Sequence, residues 1–369
     1  MEGWKECKLK EICEFKYGKN LPENKRIPGE YPVFGSSGVV AYHRDYLLKA
    51  PGIIVGRKGT VGKVQYSKED YYPIDTTFYV DADTTKVDYN FLYYRLPLCG
   101  LESMNSDAAV PGLNRTAAIN QKIYLPPLAT QHRIATILSA YDDLIENNLK
   151  RIKLLEDMAQ ITYEEWFVRM KFPGHENAKF DKETGLPEGW KKVKLGEVCD
   201  FKYGKALKAE NRRGGNYPVY GSAGIVGWHN DFICDGNGII VGRKGTVGSV
   251  YWSEIPFFPI DTVYYIESKF PLYFVYYLLK EIPFINNDAA VPGLNRNAAY
   301  LMRVTLPLNY LLLRFSEIVK PIFKQIQVLK DQNQRLKEAR DLLLPRLMSG
   351  KVDVDEINIE RRRVLGLNK

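Results

Sequence analysis

The sequence predicts an α+β protein: two copies of one mixed α/β module, each followed by a long helix. Three observations carry this reading. The ten-residue word "IIVGRKGTVG" occurs twice, at residues 53–62 and 239–248. Around each copy, short β-branched and aromatic runs alternate with Gly, Pro, Asn and Asp, the pattern of short strands joined by turns. After each copy comes a heptad pattern of apolar residues, long enough for a helix of about 35 residues, or roughly 50 Å.

The first module is placed at residues 1–130 and the second at 188–309. "GWKECKLKEICEFKYGK" from Gly3 is answered by "GWKKVKLGEVCDFKYGK" from Gly189, and "YPVFGSSGVVAYH" from Tyr31 by "YPVYGSAGIVGWH" from Tyr217. "YPIDTTFYV" from Tyr72 returns as "FPIDTVYYI" from Phe258. These matches share an offset of 186, which slips to 181 at "DAAVPGLNR" (from Asp107 and Asp288) and at the echo of "IYLPPL" in "VTLPL". Similarity held at a fixed offset marks a duplicated structural unit. "GIIVG", "KVQYS" and "TTFYV" read as strands, while "YNFLYYRL" and "LYFVYYLL" fit either a short helix or a strand.

The first long helix is placed at 131–170, with Leu138, Tyr141, Ile145, Ile152, Leu155 and Ala159 on its seam; a linker follows at 171–187. The second is placed at 310–350, with Ile322, Ile326, Leu329, Leu336 and Leu343, before a tail at 351–369. The matched phase favours an antiparallel coiled coil over two helices packing separately on their own modules. Asn148 and Asn333 interrupt the seams and can meet in one layer, a device that fixes register at some cost in stability. That register sets Ile145 on Leu336, Ile152 on Leu329 and Leu155 on Ile326, and leaves Tyr141 facing Arg340.

The opening "MEGWKECKLKEIC" is too charged for a signal peptide and no apolar run of membrane-spanning length follows, so a soluble, cytoplasmic protein is expected. Five cysteines, odd in number and without a Cys-x-x-Cys pair, suggest neither a disulfide framework nor a zinc site. No metal site is expected from four scattered histidines. The net charge of +8 is spread thinly: residues 1–130 hold 17 basic and 15 acidic side chains. Any nucleic acid would therefore be held by local clusters of Lys and Arg.

Catalytic machinery is hard to find. "GRKGT" lacks the spacing of a phosphate-binding P-loop, and no Gly-x-Ser-x-Gly elbow occurs. Asp75 and Asp261, in "PIDT", are the best acidic candidates for a duplicated nuclease site. Asp at such a place more often hydrogen-bonds its own turn.

"DAAVPGLNR", "LPPLATQHRIATILSAYDDLIENN" and "EEWFVRMKFPGHE" running into "GLPEGWKKVKLGEV" give the whole chain a resemblance to the specificity subunits of type I restriction–modification systems. Thr130 and the "LPLNYLLLRF" start of the second helix depart from that pattern. The resemblance implies two target-recognition domains in a pseudo-twofold, circular order, each reading half of a bipartite site in double-stranded DNA. It implies a non-catalytic subunit that docks two methyltransferase subunits and two restriction/translocase subunits. S-adenosylmethionine, ATP and Mg would then belong to those partners, with no cofactor on this chain. The rival readings are the stand-alone nuclease and a protein scaffold that does not bind DNA.

Under the resemblance, Arg57, Lys58, Arg243 and Lys244 are the first candidates for base reading. Flanking glycines let the backbone approach, and Arg can bond a guanine edge twice. Thr60 and Thr246 fit a phosphate or a thymine methyl. Tyr17, Lys19, Tyr203, Lys205, Ser36, Ser37 and Ser222 are candidates for phosphate contacts. Arg115 and Arg296 fit either DNA contact or a role in orienting the adjacent helix. Identical words presented with opposite polarity predict a near-palindromic target.

Overall fold

The computed structural model describes residues 3–104, 112–284 and 293–354. The "DAAVP" half of the "DAAVPGLNR" motif and residues 355–369 lie outside that set. The chain divides into two compact units: Met1–Glu146 with Asn333–Lys369, and Asn147–Gln332.

The first module comprises β1 (Lys5–Lys8), β2 (Cys13–Tyr17), β3 (Tyr31–Gly35), β4 (Gly38–His43), β5 (Gly52–Gly56), β6 (Val64–Ser67), β7 (Tyr72–Pro73), β8 (Thr77–Ala82), α1 (Tyr89–Arg95), α2 (Arg115–Ile119) and β9 (Lys122–Leu125). Its sheets are the antiparallel β2-β8-β5-β6, the mixed β4-β3-β7, and the pair β1-β9. "GIIVG" is apolar throughout because β5 is buried on both faces. Ile53 and Val55 join Phe15, Phe78 and Phe91 in the main core of this unit. Ile54 faces the other way and packs with Phe34 of β3 and Tyr71.

The second module repeats this plan: β10 (Lys191–Lys194), α4 (Leu195–Val198), β11 (Cys199–Tyr203), β12 (Tyr217–Gly221), β13 (Gly224–His229), β14 (Gly238–Gly242), β15 (Val250–Ser253), β16 (Phe258–Pro259), β17 (Val263–Ser268), α5 (Leu272–Glu281), α6 (Arg296–Leu301) and β18 (Arg303–Leu306). Its sheets are β11-β17-β14-β15, β13-β12-β16 and β10-β18, the same order as in the first module. Register is kept too, with Tyr17 opposite Phe78 and Tyr203 opposite Tyr264. The two ambiguous aromatic runs resolve as helices. Asp88 caps α1 by accepting from Phe91 N, a signal that strand reading would not explain.

The long helices are α3 (Leu128–Tyr163), which continues through a π-helical turn at Glu164–Val168, and α7 (Asn309–Met348). The first helix thus starts three residues before the sequence-based bound. Within the first unit they run antiparallel. Asp142 pairs with Arg340 and also accepts from Tyr94 Oη at 2.5 Å, while Asn333 Nδ2 donates to the Ile145 carbonyl at 3.4 Å. Arg340, half-buried, has its charge compensated by Asp142, the residue after Tyr141, and by Asp341. Within the second unit they also run antiparallel: Tyr163 meets Phe315 at 6.1 Å, and Ile152, Leu155, Ile326 and Leu329 share one cluster.

Candidate nucleic-acid interface

In each module the duplicated word forms a strand, a tight glycine loop and a second strand. Gly59 and Gly62 hold φ of 80° and 75°, and Gly245 and Gly248 hold 80° and 76°, values that favour glycine. Gly62 N donates back to the Gly56 carbonyl at 2.8 Å, closing the loop. The N–H groups of Arg57 and Lys58 donate to the Thr76 carbonyl, and those of Arg243 and Lys244 to that of Thr262, all at 2.9–3.1 Å. The carbonyls of Arg57 and Arg243 accept from Leu113 and Leu294 at 2.8 Å, tying each loop to its "PGLNR" segment.

The arginines stack on tyrosine. Arg57 lies 5.2 Å from the Tyr17 ring centre and Arg115 5.8 Å; Arg243 and Arg296 lie 4.9 and 5.0 Å from Tyr203. Each ring thus holds two guanidinium groups at the same end of its module, worth roughly 0.5–1 kcal/mol per contact at such exposed sites. Tyr17 remains 55% exposed and Tyr203 49%. Arg57 Nε also donates to the Asp75 carbonyl at 3.0 Å, and Arg243 Nη1 to that of Asp261 at 2.9 Å. The two aspartates considered as nuclease residues therefore serve the loop through their backbone. Among the described residues, no group of three His, Cys, Asp or Glu is placed to hold a metal ion.

Arg115 pairs with Glu14 at 2.7 Å, and Arg296 Nη1 donates to the Phe201 carbonyl at 3.2 Å. The helices they begin are capped instead by Asn114 and Asn295, whose side chains accept from Ala117 N and Ala298 N. Asp200, in the place of Glu14, is held below the usual carboxylate range by hydrogen bonds from Lys202 and Tyr300.

The β3–β4 turn joins the same surface. A Cβ at Gly59 would sit 3.2 Å from Ser36 Oγ, and one at Gly245 3.0 Å from Ser222 Oγ. Lys63 Nζ donates to the Ser37 carbonyl at 2.7 Å; Ser249, its counterpart, donates to the Ser222 carbonyl at 2.7 Å. Lys19 and Lys205 are exposed beside it, their N–H groups bonded to the carbonyls of Pro73 and Pro259 at 3.0 Å. Lys58, Thr60, Lys244 and Thr246 are exposed as well. The structure thus gathers the predicted residues of each module, but divides their work: the arginines are anchored, while the lysines and threonines stand outward. The exposure of the apolar strands β4 and β13, "GVVAYH" and "GIVGWH", was not anticipated from the sequence.

A family model described as the type I restriction modification DNA specificity domain matches residues 1–157 and 187–338. The chain belongs to that family. Specificity subunits of type I restriction–modification systems supply recognition of DNA sequence within a complex and are not its catalytic component. The type I restriction enzyme MjaIX specificity subunit of Methanocaldococcus jannaschii is 27% identical over 70% of this chain and 66% of its own length. The MjaVIII specificity subunit of the same organism is 23% identical over 97% of this chain and 95% of its own. The crystal structure of a type I restriction–modification S subunit from M. genitalium shares the fold at a TM-score of 0.65, with 20% identity over 93% of this chain and 96% of that one. Among the described residues, no helix of this specificity subunit is long and apolar enough to cross a membrane.

Proposed function

We propose that this specificity subunit reads a bipartite, near-palindromic site in double-stranded DNA, one half with each module. The observation that carries the reading is the duplication of one surface: the same glycine loop, the same tyrosine between two arginines, the same exposed lysine and threonine. Like surfaces select like half-sites. The antiparallel run of the helices, seen within each unit separately, favours an inverted repeat with an unread gap. In this reading Lys58, Lys244, Thr60 and Thr246 contact the DNA directly. Arg57 and Arg243 present their remaining N–H donors from a fixed stack, and Tyr17, Lys19, Ser36, Ser37, Arg115 and their counterparts Tyr203, Lys205, Ser222 and Arg296 line the phosphates. Asn148 and Asn333, both buried in apolar seams, act as register pins.

The partners proposed are two methyltransferase subunits and two restriction/translocase subunits. The outer face of α3 offers a docking stripe: Leu154, Met158 and Ile161 recur at helical spacing and are 68%, 49% and 55% exposed. S-adenosylmethionine, ATP and Mg are assigned to those partners. The test is co-expression with the modification subunit followed by mapping of methylated adenines. Two related, inverted half-sites separated by a constant gap are expected, and two unrelated half-sites would overturn the near-palindrome.

A further inference from the structure

The geometry points to the exposed edge strand of each module as the element that makes the two half-sites differ, with Tyr42 on β4 and Trp228 on β13 as the deciding side chains. This inference rests on the DNA-reading role proposed above. It concerns a different surface from the glycine loops, whose sequences are the same in both modules.

β4 and β13 each pair on one side only, with β3 and β12. A bare edge carrying apolar side chains is a template for unwanted pairing, and proteins usually blunt it with charge or proline. Here the opposite is built twice. Val39, Val40 and Tyr42 are exposed at 46%, 45% and 55%, and Ile225, Val226 and Trp228 at 52%, 40% and 44%. A register shift produces this. Val33 opposes Ala41 but Phe34 opposes Val39, so Val40 is an extra residue; Val226 is the extra residue between Ile225 and Gly227. Such a bulge breaks the in–out alternation and re-aims side chains. Gly35 and Gly221 lie beneath, where a Cβ would come within 2.9 Å of Val40 Cγ1 and 3.1 Å of Val226 Cγ1.

Three observations favour DNA as the occupant. The strand is continuous with the cationic end, since it leaves the Ser36 or Ser222 turn that abuts the glycine loop. A two-stranded ribbon such as β3–β4 fits a major groove about 12 Å wide. The loops that differ most between the modules, "NLPENKRIPGE" and "ALKAENRRGGN", pack against this strand: Arg44 N donates to the Ile27 carbonyl at 3.0 Å, and Trp228 N to the Arg212 carbonyl at 3.1 Å. Sequence difference and exposed aromatic surface therefore coincide.

The chemistry of the pair follows. An indole N–H only donates, so Trp228 selects a base edge that offers an acceptor in the major groove, guanine, thymine or adenine N7, and disfavours cytosine, which presents only a donor there. A phenol both donates and accepts, so Tyr42 tolerates a donor such as the amino group of cytosine or adenine. The bulged valines suit thymine methyl groups.

The experiment uses the full chain assembled with its modification subunit, acting on a plasmid library randomised over the wild-type site. Methylation is read for the wild type and for Trp228→Tyr, Trp228→Ala and Tyr42→Trp. Trp228→Ala is expected to lose discrimination by about five- to hundred-fold at one position of one half-site, with the other half unchanged. Trp228→Tyr should admit a donor base at that position, and Tyr42→Trp should narrow the opposite half. An unchanged motif in all three variants overturns the inference, as does equal relaxation of both halves. Weaker co-purification of the modification subunit, with the motif of the residual methylation unchanged, would also overturn it and assign the edge to a protein partner instead. A wild-type complex that shows no bipartite motif would sink the underlying DNA-reading proposal, a result distinct from failure of the strand.

Discussion

Replacing Lys58 and Lys244 together by alanine isolates the electrostatic part of DNA binding. Both side chains are exposed, and the backbone bonds that hold their loops, to the carbonyls of Thr76 and Thr262, survive the change. Each lysine that neutralises a phosphate contributes about −0.9 to the slope of log K against log salt on B-DNA. Two such contacts make the slope shallower by about 1.8 when removed. Between 50 and 200 mM salt the wild-type affinity should then fall about 12-fold further than that of the double variant. Fluorescence anisotropy with a labelled duplex carrying the site, at four salt concentrations, measures this on the chain assembled with its modification subunit. A slope unchanged within about 0.3 would show that these lysines do not reach phosphates. An unchanged slope with relaxed base preference would move them to base edges.

Asp142→Ala leaves the buried Tyr94 hydroxyl without its acceptor and Arg340 with Asp341 alone, and should destabilise the first unit by about 1–3 kcal/mol, with Asp142→Asn milder; a urea-midpoint change equivalent to under about 0.5 kcal/mol would contradict the pairing. Burial pushes the thiols of Cys13 and Cys199 up to about 12 from 9.0, and the Tyr89 phenol up to about 12 from 10.0. Their neutral forms are favoured by folding, so this stabilisation is complete below pH 9 and is lost as pH rises from 9 toward 12. Denaturant midpoints that rise over that range would refute it. Gly56→Ala and Gly242→Ala set a Cβ against the carbonyls of Thr60 and Thr246. The clash is with backbone at the end of a buried strand, so the loops must shift: the thermal midpoint should fall, and the DNA affinity of the folded complex should drop by roughly tenfold or more, read by the same anisotropy titration.

The duplication made most of the fold legible, because a word copied twice must fold twice. β5 and β14, the loop glycines and both long helices follow from pattern alone. What escaped depends on contacts distant in sequence. Nothing local announces that Arg57 will stack on Tyr17, forty residues earlier, or that the Asp75 carbonyl will hold it. Apolar "GVVAYH" says buried, and only the bulge opposite Phe34 turns it outward. The seam placed Arg340 against Tyr141 and gave no sign that its charge would pair with Asp142. Heptads record apolar periodicity and are silent about where ion pairs settle.

Leu347, Met348 and Val354 lie in the core of the first unit beside Leu138 and Phe91. On the ribosome, that core stays open until every residue of the second unit has been synthesised. A late stop codon would therefore strip cover from a core begun before the second unit, leaving that second unit as the portion best able to mature while translation continues.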